Sequence, residues 1–404
     1  MVSLIGALCY AELATAYPHA GGDYHFLTVA YGKPLALLYA WARFAVITTG
    51  SITLLAFVFG DYMSQIMPLG PLGPYSSAIW AALSILVLTA LNLYGLHGSA
   101  STQSVLTAIE VGGLVLIVVA ALWLALSGTA VPAADAAAQA GLPESVSAGG
   151  LGLAMVFVLL TFGGWNEAAY ISAELKDRVS MVRVMVVSIS VITLLYLLVN
   201  WAYWYGLGHA GMATSRAVGA DLLKAAFGPA GATLLSAAVA ISALTSINAT
   251  MIVGARTNYA LGRDWPQLRF LGAWNHERET PSAGLILQGG FALVLVLVSL
   301  ATGSGFASMV QYTAPVFWLF FLLTGIAVLV LRVRDGATPR PYRVPFFPVL
   351  PLIFCATCAF MLWSSLSFVS SQRLGGFNAA WIGVGVLISG GIVLLVLSRR
   401  KPAA

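Results

Sequence analysis

Thr161-Phe162-Gly163-Gly164-Trp165-Asn166-Glu167 is a glycine-bearing, polar interruption of an otherwise apolar run over 151–172. Counted from residue 150, positions 160–166 lie roughly 15–24 Å into that run, near the middle of a ~30 Å hydrocarbon layer. Paired glycines weaken a helix there, and unsatisfied backbone at that depth is tolerated only beside protein or a water-filled cavity. Asn166 can cap a new half-helix over 168–176, with Glu167 in its first turn. The segment then reads as a broken helix. Its outer half ends in free carbonyls at 160–162, which suit an ammonium, and its inner half opens with free N–H groups, which suit an anion. A zwitterion such as an amino acid fits that pair of poles. A glycine-rich helix contact, with Asn166 bonded to a neighbour, reads the same letters equally well.

Outward from this run lie ten others, at 1–16, 35–60, 77–96, 104–127, 184–206, 230–255, 282–302, 307–331, 347–369 and 379–397. The chain is 60% hydrophobic and 8% charged, against roughly a quarter charged in soluble domains, so lipid must solvate it. None of the runs alternates with period two, which excludes an outer-membrane barrel and predicts helices. The net charge of +5 is spread between apolar runs. It reports topology and implies no nucleic-acid partner.

Fifteen lysines and arginines fall in loops after odd-numbered runs, and only Arg216, Lys224 and Arg373 after even-numbered ones. Basic residues stay cytoplasmic, so the C-terminus is expected inside the cytoplasmic membrane and the N-terminus outside. The first run starts at Met1 with no basic leader and carries Glu12, which argues against a signal peptide. It is expected to be the remaining part of a second helix whose upstream neighbour is absent. An internal repeat points the same way. Gly22-Asp23-Tyr24 to Gly32-Lys33-Pro34, and Ala220-Asp221-Leu222 to Gly228-Pro229, each read as a short helix capped by aspartate and stopped by glycine and proline. They lie five runs apart on opposite membrane faces, the mark of an inverted-topology repeat.

Charges inside the runs are few. Glu110 sits about 10 Å deep, where a carboxylate costs of order 2.5 kcal/mol or more and faces the bundle interior. Such a group suits a coupling site for a proton or a sodium ion, or an ion pair with Arg43, which lies at similar depth; Glu12 is the other partner for Arg43. Cys9, Cys355 and Cys358 lie in apolar runs and read as packing residues. The histidines are scattered, so no metal and no cofactor is expected. Isolated acids without a nucleophile–base pair argue against an enzyme. Gly383, Gly385, Gly390 and Gly391 of the last run offer a homodimer seam or an internal packing face.

Several stretches resemble the amino acid–polyamine–organocation (APC) superfamily. Ala7-Leu8-Cys9-Tyr10-Ala11-Glu12-Leu13 with Tyr17-Pro18 and Gly21-Gly22-Asp23-Tyr24 is similar to its second helix and following loop. Phe162-Gly163-Gly164-Trp165-Asn166 with Glu174-Leu175-Lys176 resembles its sixth. Tyr259-Ala260-Leu261-Gly262-Arg263-Asp264 resembles the end of its eighth, and Arg340-Pro341-Tyr342-Arg343-Val344-Pro345 the loop before its eleventh.

The resemblance implies an all-α polytopic membrane protein with a five-plus-five inverted-repeat transporter fold. Here it would have about 11 transmembrane helices, the family's first helix being missing. Residues 1–127 would form the incomplete first repeat, 150–332 the second, 347–398 two additional helices and 399–404 a cytoplasmic tail. The family's missing helix supplies backbone amides to the substrate carboxylate, so the chain as given is expected to need an upstream extension for activity.

Carried over by position, Leu160, Thr161, Phe162, Gly163, Gly164, Trp165 and Asn166 match the substrate-lining break. Leu160 stands where relatives place a gating aromatic, a place Phe162 can fill. Thr48, Thr49, Gly50 and Ser51 match a substrate-facing turn, although small hydroxyl residues serve close helix packing equally well. Glu110 stands where some relatives carry a lysine that replaces a sodium ion, and Ser242, Thr245 and Ser246 match that cation site's other wall. The implied function is secondary transport of an amino acid, neutral in its side chain, with proton coupling or as an exchanger. A polyamine or cationic amino acid carrier, and an inactive or regulatory relic, are the alternatives.

Overall fold

A computed structural model describes the chain apart from residues 20, 96–99, 129–147, 168–177, 216, 276, 279, 303–304, 372, 375–376 and 400–404. The expected inner half-helix over 168–176 and nearly all of the expected tail therefore lie outside the described residues.

Every apolar run has helix along it; the run 35–60 is divided between two helices, and the run 151–172 leaves its helix at Thr161. The helices are α1 (Val2–Ala16), α2 (Asp23–Tyr31), α3 (Lys33–Ala42), α4 (Thr49–Ile66), α5 (Ser76–Leu93), α6 (Ala100–Ser127) and α7 (Ala148–Thr161). They continue as α8 (Arg178–Thr214), α9 (Val218–Asp264), α10 (Ser282–Thr302), α11 (Gly305–Arg334), α12 (Val349–Ser371) and α13 (Ala379–Arg399). Among the described residues, eight of these spans are long and apolar enough to cross a membrane, so the protein is an all-α multi-pass membrane protein. Large apolar side chains stand outward on the peripheral helices, including Leu126 at 88% and Leu197 and Leu297 at 65% exposure. A soluble chain would bury them, and here lipid covers them.

Inside, α4 packs on α5 and α9, α9 on α6, and α11 on α12. Small residues set the close crossings. A Cβ at Gly60 of α4 would stand 2.0 Å from the Ser77 carbonyl of α5, so only glycine lets the two backbones approach this far. Cys9 and Cys358 are free and wholly buried. In α13, Gly390 faces Trp41 and Leu38 of α3 within the chain, whereas Gly385 and Gly391 meet nothing within 4 Å.

The two short helices of the sequence repeat share a backbone device. α2 stops at Gly32 with φ 92° and ψ 171°, and the first turns of α9 stop at Gly228 with φ 72° and ψ −166°. A positive φ of this kind is cheap for glycine alone, and a proline within two residues bars return to the earlier axis. The expected aspartate caps are corrected. Gly22 precedes α2 with no side-chain cap bond, and Asp23 is its first residue. Ala217 precedes α9 in the same way, while Asp221 accepts from the Ser215 hydroxyl at 2.5 Å.

Between α3 and α4 the chain winds as a π-turn over Arg43–Thr48. The extra residue in that turn rotates everything after it relative to an α-helical count.

On the face where α1, α2, α11 and the 335–348 loop meet, the Glu12 carboxylate is almost fully buried and heavily bonded. It accepts from Arg332 Nε at 2.9 Å, Arg332 Nη2 at 2.5 Å and the Val344 N–H at 2.7 Å, with Arg340 Nε at 3.5 Å. Arg334 reaches back to the last carbonyls of α2, Val29 at 2.6 Å and Ala30 at 3.0 Å, as a cation at a helix C-terminus should. Its hydrogen bond to Asp335 holds that carboxyl below the ordinary carboxylate range.

A cavity at the helix break

α7 ends at Thr161, about 21 Å from its start. Residues 162–164 turn, and 165–167 form a single tight turn. The reversal uses Gly164 at φ 94°, a conformation that makes glycine necessary there. The expected break is present. Its carbonyls are less free than the sequence suggests, because Leu160 O accepts the Gly163 N–H at 3.0 Å and Thr161 O accepts the Tyr196 hydroxyl at 3.0 Å.

A cavity of about 580 Å³ opens against this break, lined there by Leu160, Thr161, Gly163, Gly164, Asn166 and Glu167. Phe162 points the other way. With Trp165 it lines a separate space of about 270 Å³ against α8, where its ring stands edge-on to Tyr196 at 5.0 Å. Trp165 packs against Phe321 at 5.5 Å and edge-on to Tyr10 at 5.1 Å and Phe354 at 6.4 Å. It is thus an aromatic wedge into α1, α11 and α12, behind the cavity wall that Tyr10 and Phe321 form.

The turn matched at 48–51 divides in the same way. Thr48 and Ser51 line the cavity. Thr49 is wholly buried with its hydroxyl on Ala45 O at 3.0 Å, and Gly50 is closed off by Thr313 of α11. Both are packing positions, because successive helical residues cannot all face one side. Ser246 of α9 lines the cavity. Just before it on α9, the Ser242 and Thr245 hydroxyls donate to Glu110 Oε1 at 3.0 and 3.1 Å. Glu110, Ser242 and Thr245 therefore sit together, whereas Ser246 stands on the cavity wall and Arg43 elsewhere.

Arg43 is the main correction. It pairs with neither Glu110 nor Glu12; its Nη2 lies 3.8 Å from Glu167 Oε1, across the cavity wall. Its Nη1 donates to the Tyr39 hydroxyl at 3.0 Å, which donates to Asp23 Oδ2 at 3.2 Å. Thr324 donates to the other oxygen of Asp23 at 3.3 Å. Asp23, Tyr39, Arg43 and Tyr10 all line the cavity, and sequence reasoning placed none of them there. Arg43 carried a signal, as a charge inside an apolar run. Asp23 was masked by its resemblance to a helix cap. Among the described residues, no group of three or more His, Cys, Asp or Glu side chains has the geometry to hold a metal ion.

Comparison with known proteins places this geometry in context. Residues 1–395 match the model of the family described as Amino acid permease. The chain is 26% identical to the b(0,+)-type amino acid transporter 1 of Mus musculus over 364 residues, 90% of this chain and 72% of that one. It is 26% identical to the Asc-type amino acid transporter 1 of Mus musculus over 409 residues, 99% of this chain and 73% of the relative. The large neutral amino acids transporter small subunit 2 of Homo sapiens is 28% identical over 369 residues, covering 90% and 67%.

Proposed function

Because the chain belongs to the amino acid permease family, within the amino acid–polyamine–organocation superfamily, we propose that it is a secondary carrier moving a neutral amino acid across the cytoplasmic membrane by alternating access. The observation that carries the proposal is the end of α7 at Thr161, with Leu160, Gly163 and Gly164 lining a cavity of about 580 Å³. Interrupted helices at a midplane cavity are the device by which such carriers hold small polar solutes. The transport reading of the relatives' names supports it, and so do the paired glycine stops at Gly32 and Gly228. Those stops fit a first repeat over 1–127 and an oppositely oriented second repeat over 150–332, followed by two helices over 347–398 and a cytoplasmic tail.

The neutral side chain follows from charge balance. Glu167 faces Arg43, and the Asp23 carboxylate is covered by the Tyr39 and Thr324 hydroxyls. Much of the remaining wall, including Leu54, Leu55 and Phe317, is apolar. A cationic side chain would meet Arg43 at the price of its repulsion.

Glu110 with Ser242 and Thr245 is the proposed coupling site. Hydroxyls both donate and accept, so the same pocket holds a carboxylate or a carboxylic acid. Ser246, next to Thr245 on α9, lies on the cavity wall. The test is uptake of radiolabelled amino acids by reconstituted protein under imposed proton or sodium gradients. Glu110→Gln is expected to abolish concentrative uptake driven by a proton gradient while leaving exchange between loaded vesicles. Uptake by Glu110→Gln that still follows the proton gradient would assign Glu110 to structure, and uptake that follows sodium instead would replace the coupling ion. Binding of no amino acid or polyamine would remove the transport proposal.

A further inference from the structure

Phe346 is held in a backbone conformation at φ 52°, in the left-handed region that bulky side chains almost never occupy. Its ring gains no cover in return and stands 79% exposed. The segment around it is fastened from behind. Arg340 donates to three carbonyls, Leu331 at 2.8 Å and Asp335 and Thr338 at 3.1 Å. The Val344 N–H is held by Glu12, and the Phe347 ring lies under the Arg332 guanidinium at 4.0 Å. With Val344 and Phe347 both turned to the protein, Phe346 is directed outward.

The outward side continues along α12. The Val349 and Leu350 N–H groups donate to Phe346 O at 2.7 and 3.4 Å, so Phe346 opens the first turn of that helix. Phe346, Val349 and Ile353 then follow at helical spacing with Leu352 beside them, all exposed. Lipid covers such a stripe on a chain that spans the membrane, and Phe346 marks its end at the interface. Three residues earlier Arg343 is exposed as well, and among the described residues it makes no hydrogen bond or ion pair. This loop follows the ninth apolar run, on the side that gathers most of the lysines and arginines. From Arg332 to Arg343 four arginines meet two carboxylates, Glu12 and Asp335, which leaves positive charge on this face.

We propose that Arg343 and Phe346 form a seat for an anionic phospholipid, with its phosphate on the Arg343 guanidinium and an acyl chain along Phe346, Val349 and Ile353. The chain presents a charge, then a phenyl ring, then an aliphatic stripe, which is the order of headgroup, boundary and acyl chain in a lipid. A guanidinium offers a phosphate paired donors, and basic side chains at a membrane surface favour anionic over zwitterionic headgroups. The proposal uses no residue of the cavity and stands apart from the carrier reading.

For the test, the full chain in a neutral detergent is titrated with dioctanoyl phosphatidylglycerol, dioctanoyl phosphatidylcholine and glycerol phosphate, and bound lipid is counted by native mass spectrometry. The wild type is expected to prefer phosphatidylglycerol over phosphatidylcholine by about fivefold. Arg343→Gln is expected to erase that preference and to leave phosphatidylcholine unchanged. Arg269→Gln, at an exposed arginine of another loop, is expected to keep it. Phe346→Gly relieves the backbone at that position and is expected to weaken both lipids by about twofold. Arg343 and Phe346 both lie outside the packed core, so these variants fold. A wild type without preference, equal losses in Arg343→Gln and Arg269→Gln, or unchanged lipid binding in Phe346→Gly would overturn the proposal. Displacement of the lipid by an equal concentration of glycerol phosphate would overturn it too, by making this a site for soluble phosphates.

Discussion

Glu12→Gln tests whether the buried carboxylate ties α1 to the 335–348 loop. The substitution keeps shape and volume and removes one charge. In the wild type, Oε1 accepts from Arg332 Nε and Oε2 accepts from Arg332 Nη2 and the Val344 N–H, while Arg340 Nε stands at 3.5 Å. A glutamine has a single acceptor oxygen, and its amide nitrogen must point a donor at another donor. Glu12 is 3% and Arg340 4% exposed in their side chains, and Arg332 17%, so water does little to repair the loss. Removing one member of a buried pair costs roughly 3–5 kcal/mol, and the acceptor that remains puts the cost near ~3 kcal/mol. At 1.4 kcal/mol per decade, that opens the loop about a hundredfold more often. Amide hydrogen exchange on detergent-solubilised protein reads it directly, since the Val344 N–H donates to this carboxylate and is uncovered each time the loop opens. Val344 exchange within about threefold of wild type, with helix content unchanged, would mean that the carboxylate is not what holds the loop.

Two further outcomes follow from specific geometry. Gly60→Ala forces a Cβ to 2.0 Å from the Ser77 carbonyl, and is expected to cost about 1–3 kcal/mol in thermal unfolding. Gly112→Ala, whose Cβ meets nothing within 4 Å, is expected to raise stability by about 0.5–1 kcal/mol through helix propensity; the reverse order of the two would refute the close-crossing account. The carboxyl of Asp335 is depressed by Arg334 and accepts the Tyr17 hydroxyl at 3.0 Å. A depressed carboxyl stabilises at neutral pH and loses that contribution as pH falls below its unfolded value of about 4. Limited proteolysis of the 335–345 segment should therefore rise on acidification and be high already at neutral pH in Asp335→Asn; equal cleavage of the variant and wild type at neutral pH would count against the link.

Hydropathy alone located the helices, because a run of apolar residues long enough to cross lipid has few other fates. The break was legible for a similar reason: Gly163, Gly164 and Asn166 disfavour continued helix whatever surrounds them. The grouping of Glu110 with Ser242 and Thr245 came from family resemblance, since nothing local links residues 132 positions apart. What stayed hidden was direction. Thr49 and Gly50 were grouped with Thr48 and Ser51, and a sequence does not show which face a neighbouring helix covers. Trp165 was placed beside the site, but an aromatic next to a turn swings toward whichever core has room. Arg43 depends on a π-turn without a residue signature, so its meeting with Glu167 could not be counted out along a regular helix.

The wedge made by Trp165 has a mechanical consequence. Its indole is seated among rings of three other helices, and a Cβ at Gly6 would already stand 2.6 Å from it. Toward those helices the seat is close-fitting, so sliding that way brings overlap, whereas the face toward α8 borders the open space of about 270 Å³. Bending where α7 stops must then either leave the indole behind, twisting the chain between Gly164 and Asn166, or carry α1, α11 and α12 along as one piece. Either course ties movement at the break to the aromatic seat, with the open space toward α8 as the side on which the indole has room.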